Sequence, residues 1–66
     1  MLLFEIVSNE NIVTVTGHSE DGNQYSEVID LSDKNISNQE MIDALVNSIN
    51  EKCPGSNINI QNVVNV

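Results

Sequence analysis

Two side chains in this sequence have the chemistry of a nucleophile or a base: the thiol of Cys53 and the imidazole of His18. A catalytic cysteine needs a lowered thiol pKa and a base within reach. Cys53 precedes Pro54 at the predicted end of a helix, where the helix dipole disfavours a thiolate. His18 lies at the end of a predicted hairpin strand. The sequence therefore predicts no Cys–His catalytic pair.

Carboxylate pairs are the other candidates for catalysis, because two neighbouring carboxyl groups can act as acid and base. The closest pairs in sequence are Glu20-Asp21 and Asp30 with Asp33. Both pairs fall in or beside polar loops, where water keeps carboxyl pKa values ordinary. A catalytic carboxylate needs a desolvated cleft, and a chain of 66 residues has little room for one. We expect a protein that is not an enzyme.

Metal and cofactor sites are not indicated by the sequence. Asp33, Asn35 and Ser37 begin like a calcium-binding EF-hand loop, but Asn38 replaces the required glycine and Ala44 replaces the bidentate glutamate. One cysteine and one histidine cannot supply four zinc ligands. The three glycines are scattered, so no phosphate-binding loop is present. We expect no metal and no cofactor.

Alternating apolar residues and turn chemistry predict four strands. Ser8 to Asn11 reads as a turn, and Asp21-Gly22 is a hairpin signal. Glu27 shares a predicted strand face with Tyr25 and Ile29, which a bulge, a strand edge or a functional exposure would each explain. The strands are predicted at residues 2–7, 12–16, 24–31 and 57–66.

One helix is predicted between the third and fourth strands. Ser37 and Glu40 fit a capping box. Apolar residues follow at helical spacing, and Cys53-Pro54-Gly55 ends the helix. The apolar stripe consists of Met41, Ile42, Leu45, Val46 and Ile49.

These elements predict one small α+β domain over residues 1–66 with the order β-β-β-α-β. We expect a mostly antiparallel sheet of three to four strands with the helix packed on one face. The last strand then lies either beside the first strand or beyond the third. A chain this short has a small core and marginal stability, so association with a partner is the expected source of further stability.

Charge restricts the partners of this chain. Ten acidic residues stand against two basic ones, for a formal net charge of −8 at pH 7. Direct binding to nucleic acid or to an anionic membrane needs cations, so we expect neither. The apolar opening ends at Glu5, too early for a membrane span. With a single cysteine, a reducing compartment such as the cytoplasm is the simplest location. Eleven asparagines and frequent isoleucine are typical of a low-GC bacterium or its phage, so we expect a bacterial host cell.

The same charge favours an encounter with a protein partner that has a basic surface. In size, acidity and composition the chain resembles the broad group of phage-encoded inhibitors that block restriction, CRISPR or other nucleic-acid enzymes, a group that shares no motif. The resemblance implies an acidic surface that competes for the lysines and arginines of a nucleic-acid-binding site. The residues expected to contact the partner are Glu20, Asp21, Tyr25, Glu27, Asp30, Glu40 and Asp43.

Two alternatives remain open at this point. The acids are spread along the chain, and they can serve solubility alone. The chain can also self-associate as a homodimer, through an uncovered sheet face or through the edge of the last strand.

Overall fold

Four strands and one helix follow one another in the predicted order β-β-β-α-β. The structure is a computed structural model that describes residues 2–63, with side chains through residue 61. The predicted continuation of the last strand through 64–66 lies outside the described residues. The elements are β1 (Leu3–Asn9), β2 (Ile12–His18), β3 (Gln24–Asp30), α1 (Asn38–Lys52) and β4 (Asn57–Val63).

The strands form one mixed sheet in the order β3-β2-β1-β4. β1, β2 and β3 pair antiparallel as a meander, and β4 pairs parallel with β1. A parallel neighbour cannot be reached by a tight turn and requires a crossover, which α1 provides. Of the two positions predicted for the last strand, the structure therefore has the one beside β1. The predicted small α+β fold with a mostly antiparallel sheet is confirmed.

The β1–β2 hairpin is longer than predicted at both ends. Ser8 and Gly17, which the sequence assigned to loops, are paired within the ladder. The turn contracts to two residues, and Glu10 adopts the left-handed conformation there with φ of 55°. The first two strands were predicted too short because the polar side chains of residues 8 and 9 resemble turn residues, although their backbone continues the ladder.

The N-terminus of α1 follows the capping prediction in one half only. Ser37 Oγ accepts a hydrogen bond from the backbone N–H of Glu40 at 3.2 Å. The Glu40 carboxylate accepts from the Ser37 hydroxyl at 3.4 Å, instead of reaching the Ser37 backbone amide. At the other end, the N–H of Cys53 donates to the Ile49 carbonyl at 2.7 Å and closes the helix.

The core lies between α1 and one face of the sheet. The register places alternate residues of each strand on this covered face, among them Ile6, Val15 and Glu27. The remaining residues form the open face, which no described element covers. The buried apolar residues are Ile6, Val13, Val15, Leu31, Ile42 and Ile49.

Within the part of the chain that the structure describes, no helix is both long and apolar enough to span a membrane.

Candidate protein-interaction site

β3 is an edge strand, and its side chains are the most exposed of the first three strands. All but one of its residues are exposed, with Ile29 half-buried. Tyr25 is 55% exposed and Val28 is 65% exposed. A sheet edge presents backbone groups to which another chain can pair. This edge is therefore the natural place to look for an interaction surface.

Glu27 lies on the covered face because of the register, without a bulge. Each residue of β3 pairs with one residue of β2, and Glu27 is opposite Val15. Of the three explanations considered for Glu27, the structure excludes the bulge and supports the strand edge.

Tyr25 and Glu27 are neighbours on the covered face. The Tyr25 hydroxyl donates a hydrogen bond to the Glu27 carboxylate. This bond, together with the nearby negative charge, raises the pKa of Tyr25 because both favour the protonated phenol. The pair thus presents an aromatic ring and a carboxylate side by side at the sheet edge.

The β2–β3 loop carries the next two predicted contact residues, Glu20 and Asp21. The Asp21 carboxylate accepts from the Ser19 hydroxyl and, at 3.3 Å, from the side-chain amide of Asn23. The hydrogen bond from Ser19, and after it one from the backbone of Asn23, lowers the pKa of Asp21. The hairpin tip therefore holds a fixed negative charge at one end of β3.

Asp30 occupies the opposite end of β3 and the opposite face. It pairs with Ile12 on the open face, and its carboxylate accepts from the backbone N–H of Ser32 at 2.9 Å. This bond lowers the pKa of Asp30. Residues three apart in a strand point to opposite sides, so Asp30 and Glu27 do not share a surface.

The two helical acids lie away from β3. Glu40 takes part in the cap of α1, and Asp43 accepts from the side-chain amide of Gln39 at 3.0 Å. Both are exposed on the side of α1 that does not face the sheet. Of the seven predicted contact residues, the structure brings Tyr25 and Glu27 into contact and distributes the others over several surfaces.

An apolar cleft opens between α1 and β3. One cavity of about 300 Å³ is bounded by Phe4, Val15, Tyr25, Glu27, Leu45, Ser48, Ile49, Lys52 and Cys53. A second cavity of about 280 Å³ adjoins it, sharing Phe4 and Tyr25 and reaching the hairpin loop at Asn23. We call the two together the β3 cleft.

Of the residues that form the walls of this cleft, Tyr25 and Glu27 were predicted contact residues, but Phe4, Leu45 and Lys52 were not. Leu45 and Lys52 lie two turns apart on one side of α1, whereas Phe4 belongs to β1, and no local spacing connects the strand with the helix. One signal was available in Gly17, because a glycine inside a strand often marks a close approach. A Cβ at Gly17 would lie 3.0 Å from a ring carbon of Phe4. Gly17 therefore gives the Phe4 ring its place on the floor of the cleft.

The residues with nucleophile or base chemistry do not meet. His18 Nε2 lies 3.8 Å from Glu5 Oε1, and the register places both residues on the open face. Cys53 is half-buried at the end of α1, on the covered side. Among the described residues, no group of three or more histidine, cysteine, aspartate or glutamate side chains is placed to hold a metal ion.

Comparison with known proteins gives no assignment: no family model matches this chain, and neither a curated protein nor a solved structure matches it.

Proposed function

We propose that this protein is a non-enzymatic binding module that occupies a basic, nucleic-acid-binding surface of a protein partner and inhibits it. The acidic surface attracts the partner, and Tyr25 with the β3 cleft anchors it. In this role the chain acts like the phage-encoded inhibitors that it resembles in size and charge.

One observation carries the proposal: an exposed tyrosine and a carboxylate border an apolar cleft on a chain of net charge −8. Tyrosine is among the residues that most often supply binding energy at the centre of an interface. Long-range attraction raises the rate of encounter with a basic partner, while apolar burial holds the complex. The net charge therefore speeds the encounter with the partner, and the tyrosine with the apolar cleft holds the complex together.

The acids do not form a continuous row, and this shapes the proposal. Glu20 and Asp21 stand at the hairpin, Glu27 beside the cleft, and Asp30 on the open face. A mimic of one nucleic-acid strand would need carboxylates in sequence along one surface. We therefore propose competition for individual lysines and arginines around one anchored contact.

The test is capture of a partner from a nuclease-treated bacterial lysate, followed by binding of the purified partner in a salt series. We expect the complex to dissociate as salt rises and to be displaced by added DNA or RNA. Replacing Glu20, Asp21, Glu27 and Asp30 together by their amides should weaken binding. Unchanged affinity of this fourfold variant would contradict the proposed function.

Self-association is the second candidate, and the open face of the sheet favours it. Ile12 is 44% exposed and Val28 is 65% exposed. Val28 and Val7 are both paired with Thr14 of β2, so the two valines lie in one row across the open face, and Ile12 lies in the next row. Burying such a face against a second copy would stabilise a small domain. Repulsion between two chains of charge −8 opposes the dimer at low salt.

Sedimentation at several salt concentrations separates the two candidates. A dimer that strengthens with salt and that Val28→Thr abolishes would support association through the open face. A monomer at every salt concentration would exclude it and leave the inhibitor proposal unaffected.

A further inference from the structure

The backbone of β3 presents a regular series of outward-facing groups. The N–H of Leu31 donates to the Asn11 carbonyl at 2.7 Å, and the N–H of Ser19 donates to the Asn23 carbonyl at 3.0 Å. Antiparallel pairs alternate between bonded and non-bonded. These two bonds show which residue pairs of the β2–β3 ladder are hydrogen-bonded, and the residues of β3 between those pairs direct their backbone groups away from β2. The residues of β3 that direct their N–H and C=O groups away from β2 are Gln24, Ser26, Val28 and Asp30.

The β3 cleft lies directly beside this edge. Tyr25 and Glu27, which alternate with the outward-facing residues, belong both to β3 and to the cleft wall. A strand added to the edge would lie about 4.8 Å from β3. Its side chains on the covered side would then project toward the cleft, whose apolar walls include Phe4 and Leu45.

Charge selects the kind of segment that fits. Glu27 lies at the cleft, and Asp21 in the adjoining loop is held in its charged form by its hydrogen bonds. Lys52 is the only lysine or arginine among the described residues that line the cleft. Apolar side chains that are flanked by lysine or arginine complement this combination.

A second copy of the chain is a poor occupant of the same edge. An antiparallel pairing of β3 with its own copy, centred on Glu27, would place two carboxylates directly opposite each other. Like charges at such positions are destabilising, and the net charge of −8 on each chain adds to the repulsion.

We infer that β3 accepts an extended, basic segment of the partner as a fifth strand, with aliphatic side chains in the β3 cleft and lysine or arginine side chains beside Glu27 and the hairpin acids. This inference rests on the proposed function and specifies its mode of binding. Main-chain hydrogen bonds supply affinity in such strand addition, and the pocket for alternate side chains supplies specificity.

The probe for the test is a blocked peptide about seven residues long, to match a typical strand. Serine occupies every second position, and lysine and valine take turns at the positions between, so that lysine and valine lie on the same face of the added strand. Two peptides of the same length serve as controls: one alternates lysine with serine, and the other alternates serine with valine. Binding is followed by NMR on the full chain, through chemical shifts and through hydrogen exchange of the Ser26 and Val28 amides. We expect only the lysine–valine peptide to slow exchange at both amides.

Two pairs of variants locate the site. Ser48→Phe fills the cleft, whereas Asn47→Phe places the same ring on the exposed side of α1. We expect the first to weaken the lysine–valine peptide about tenfold, the loss of one buried anchor, and the second to leave its affinity unchanged. Glu27→Gln and Glu51→Gln each remove one negative charge. We expect about two- to fivefold weaker binding for the first alone.

The outcomes separate this inference from the proposed function. Equal binding of both lysine peptides, without protection of the Ser26 and Val28 amides, would overturn strand addition and leave a charge-driven inhibitor standing. Equal binding of the serine–valine and lysine–valine peptides would overturn the basic partner, and the proposed function with it. Equal effects of the two phenylalanine variants would show that the peptide does not use the cleft.

Discussion

The side-chain amide of Asn38 donates a hydrogen bond to Ser8 Oγ over 2.6 Å and a second one to the carbonyl of Glu10. Asn38 is the first residue of α1, while Ser8 and Glu10 belong to the end of β1 and to its turn. Ser8 is only 4% exposed, so its hydroxyl depends on this partner. One side chain thereby fixes the start of the helix over the first hairpin.

Asn38→Ala should lower the free energy of unfolding by about 1–3 kcal/mol, because it leaves a buried hydroxyl without its donor. Urea denaturation measures the change. Ser8→Ala removes the same bond from the other side. The double variant should cost less than the sum of the single variants, since both act on one interaction. Additive costs would show that the hydrogen bond between Asn38 and Ser8 does not contribute to stability.

The phenol of Tyr25 should titrate above its ordinary value of about 10. The cause is the hydrogen bond to Glu27 and its negative charge, which raise the pKa of Tyr25. Tyr25 is the only tyrosine and the chain has no tryptophan, so the ultraviolet absorbance of the phenolate reports it directly.

Glu27→Gln should move this midpoint down toward the ordinary value, because an amide can still accept the hydrogen bond but carries no charge. Glu51→Gln is the matched control and should leave the midpoint in place. Because the folded pKa is raised, Tyr25 contributes stability below the unfolded pKa, and this contribution is lost as pH rises through the folded pKa. An identical midpoint in Glu27→Gln would contradict the charge contribution.

Gly17→Ala should destabilise the protein by about 1–2 kcal/mol, the cost of overpacking. The added Cβ would lie 3.0 Å from one ring carbon of Phe4 and 3.3 Å from another. The same substitution in a Phe4→Leu background should cost less, because the smaller side chain relieves the contact. Thermal unfolding of the four proteins tests this, and an equal cost in both backgrounds would show that the contact with Phe4 is not the cause.

Ser19→Ala should raise the pKa of Asp21 toward its ordinary range, because the Ser19 hydroxyl is the main cause of its lowered pKa. NMR titration of the Asp21 carboxyl group measures the shift. A lowered folded pKa means that Asp21 contributes stability above its unfolded pKa and loses it as pH falls through the folded pKa.

The stability lost in Ser19→Ala should therefore be larger at neutral pH than in acid. Ser26→Ala is the control, since it removes a hydroxyl from an exposed site on β3. If the two alanine variants give the same Asp21 midpoint, the hydrogen bond from Ser19 does not hold the charge.

Local signals in the sequence were sufficient to predict the four strands and the helix in the correct order. Ser37 caps α1 as predicted, and Gly22 takes a φ of 91° in the hairpin that Asp21-Gly22 indicated. Alternation located the strands, because side chains alternate faces regardless of what the strand pairs with. The predicted ends of β1 and β2 were wrong. A strand stops where its pairing with the neighbouring strand stops, and the residue types at its end do not record that point.

The candidate site depended on the tertiary structure. The sequence by itself determined the net charge, the order of the elements and the presence of Tyr25 and Glu27 on one strand face. It left open whether β4 joins β1 or β3, and hence whether β3 is an edge. Packing of α1 across the sheet decided that, and it brought Phe4, Leu45 and Lys52 around one cleft. Contacts between a strand and a helix that are far apart in sequence depend on how the whole apolar face is buried. The spacing of residues within one segment does not predict them.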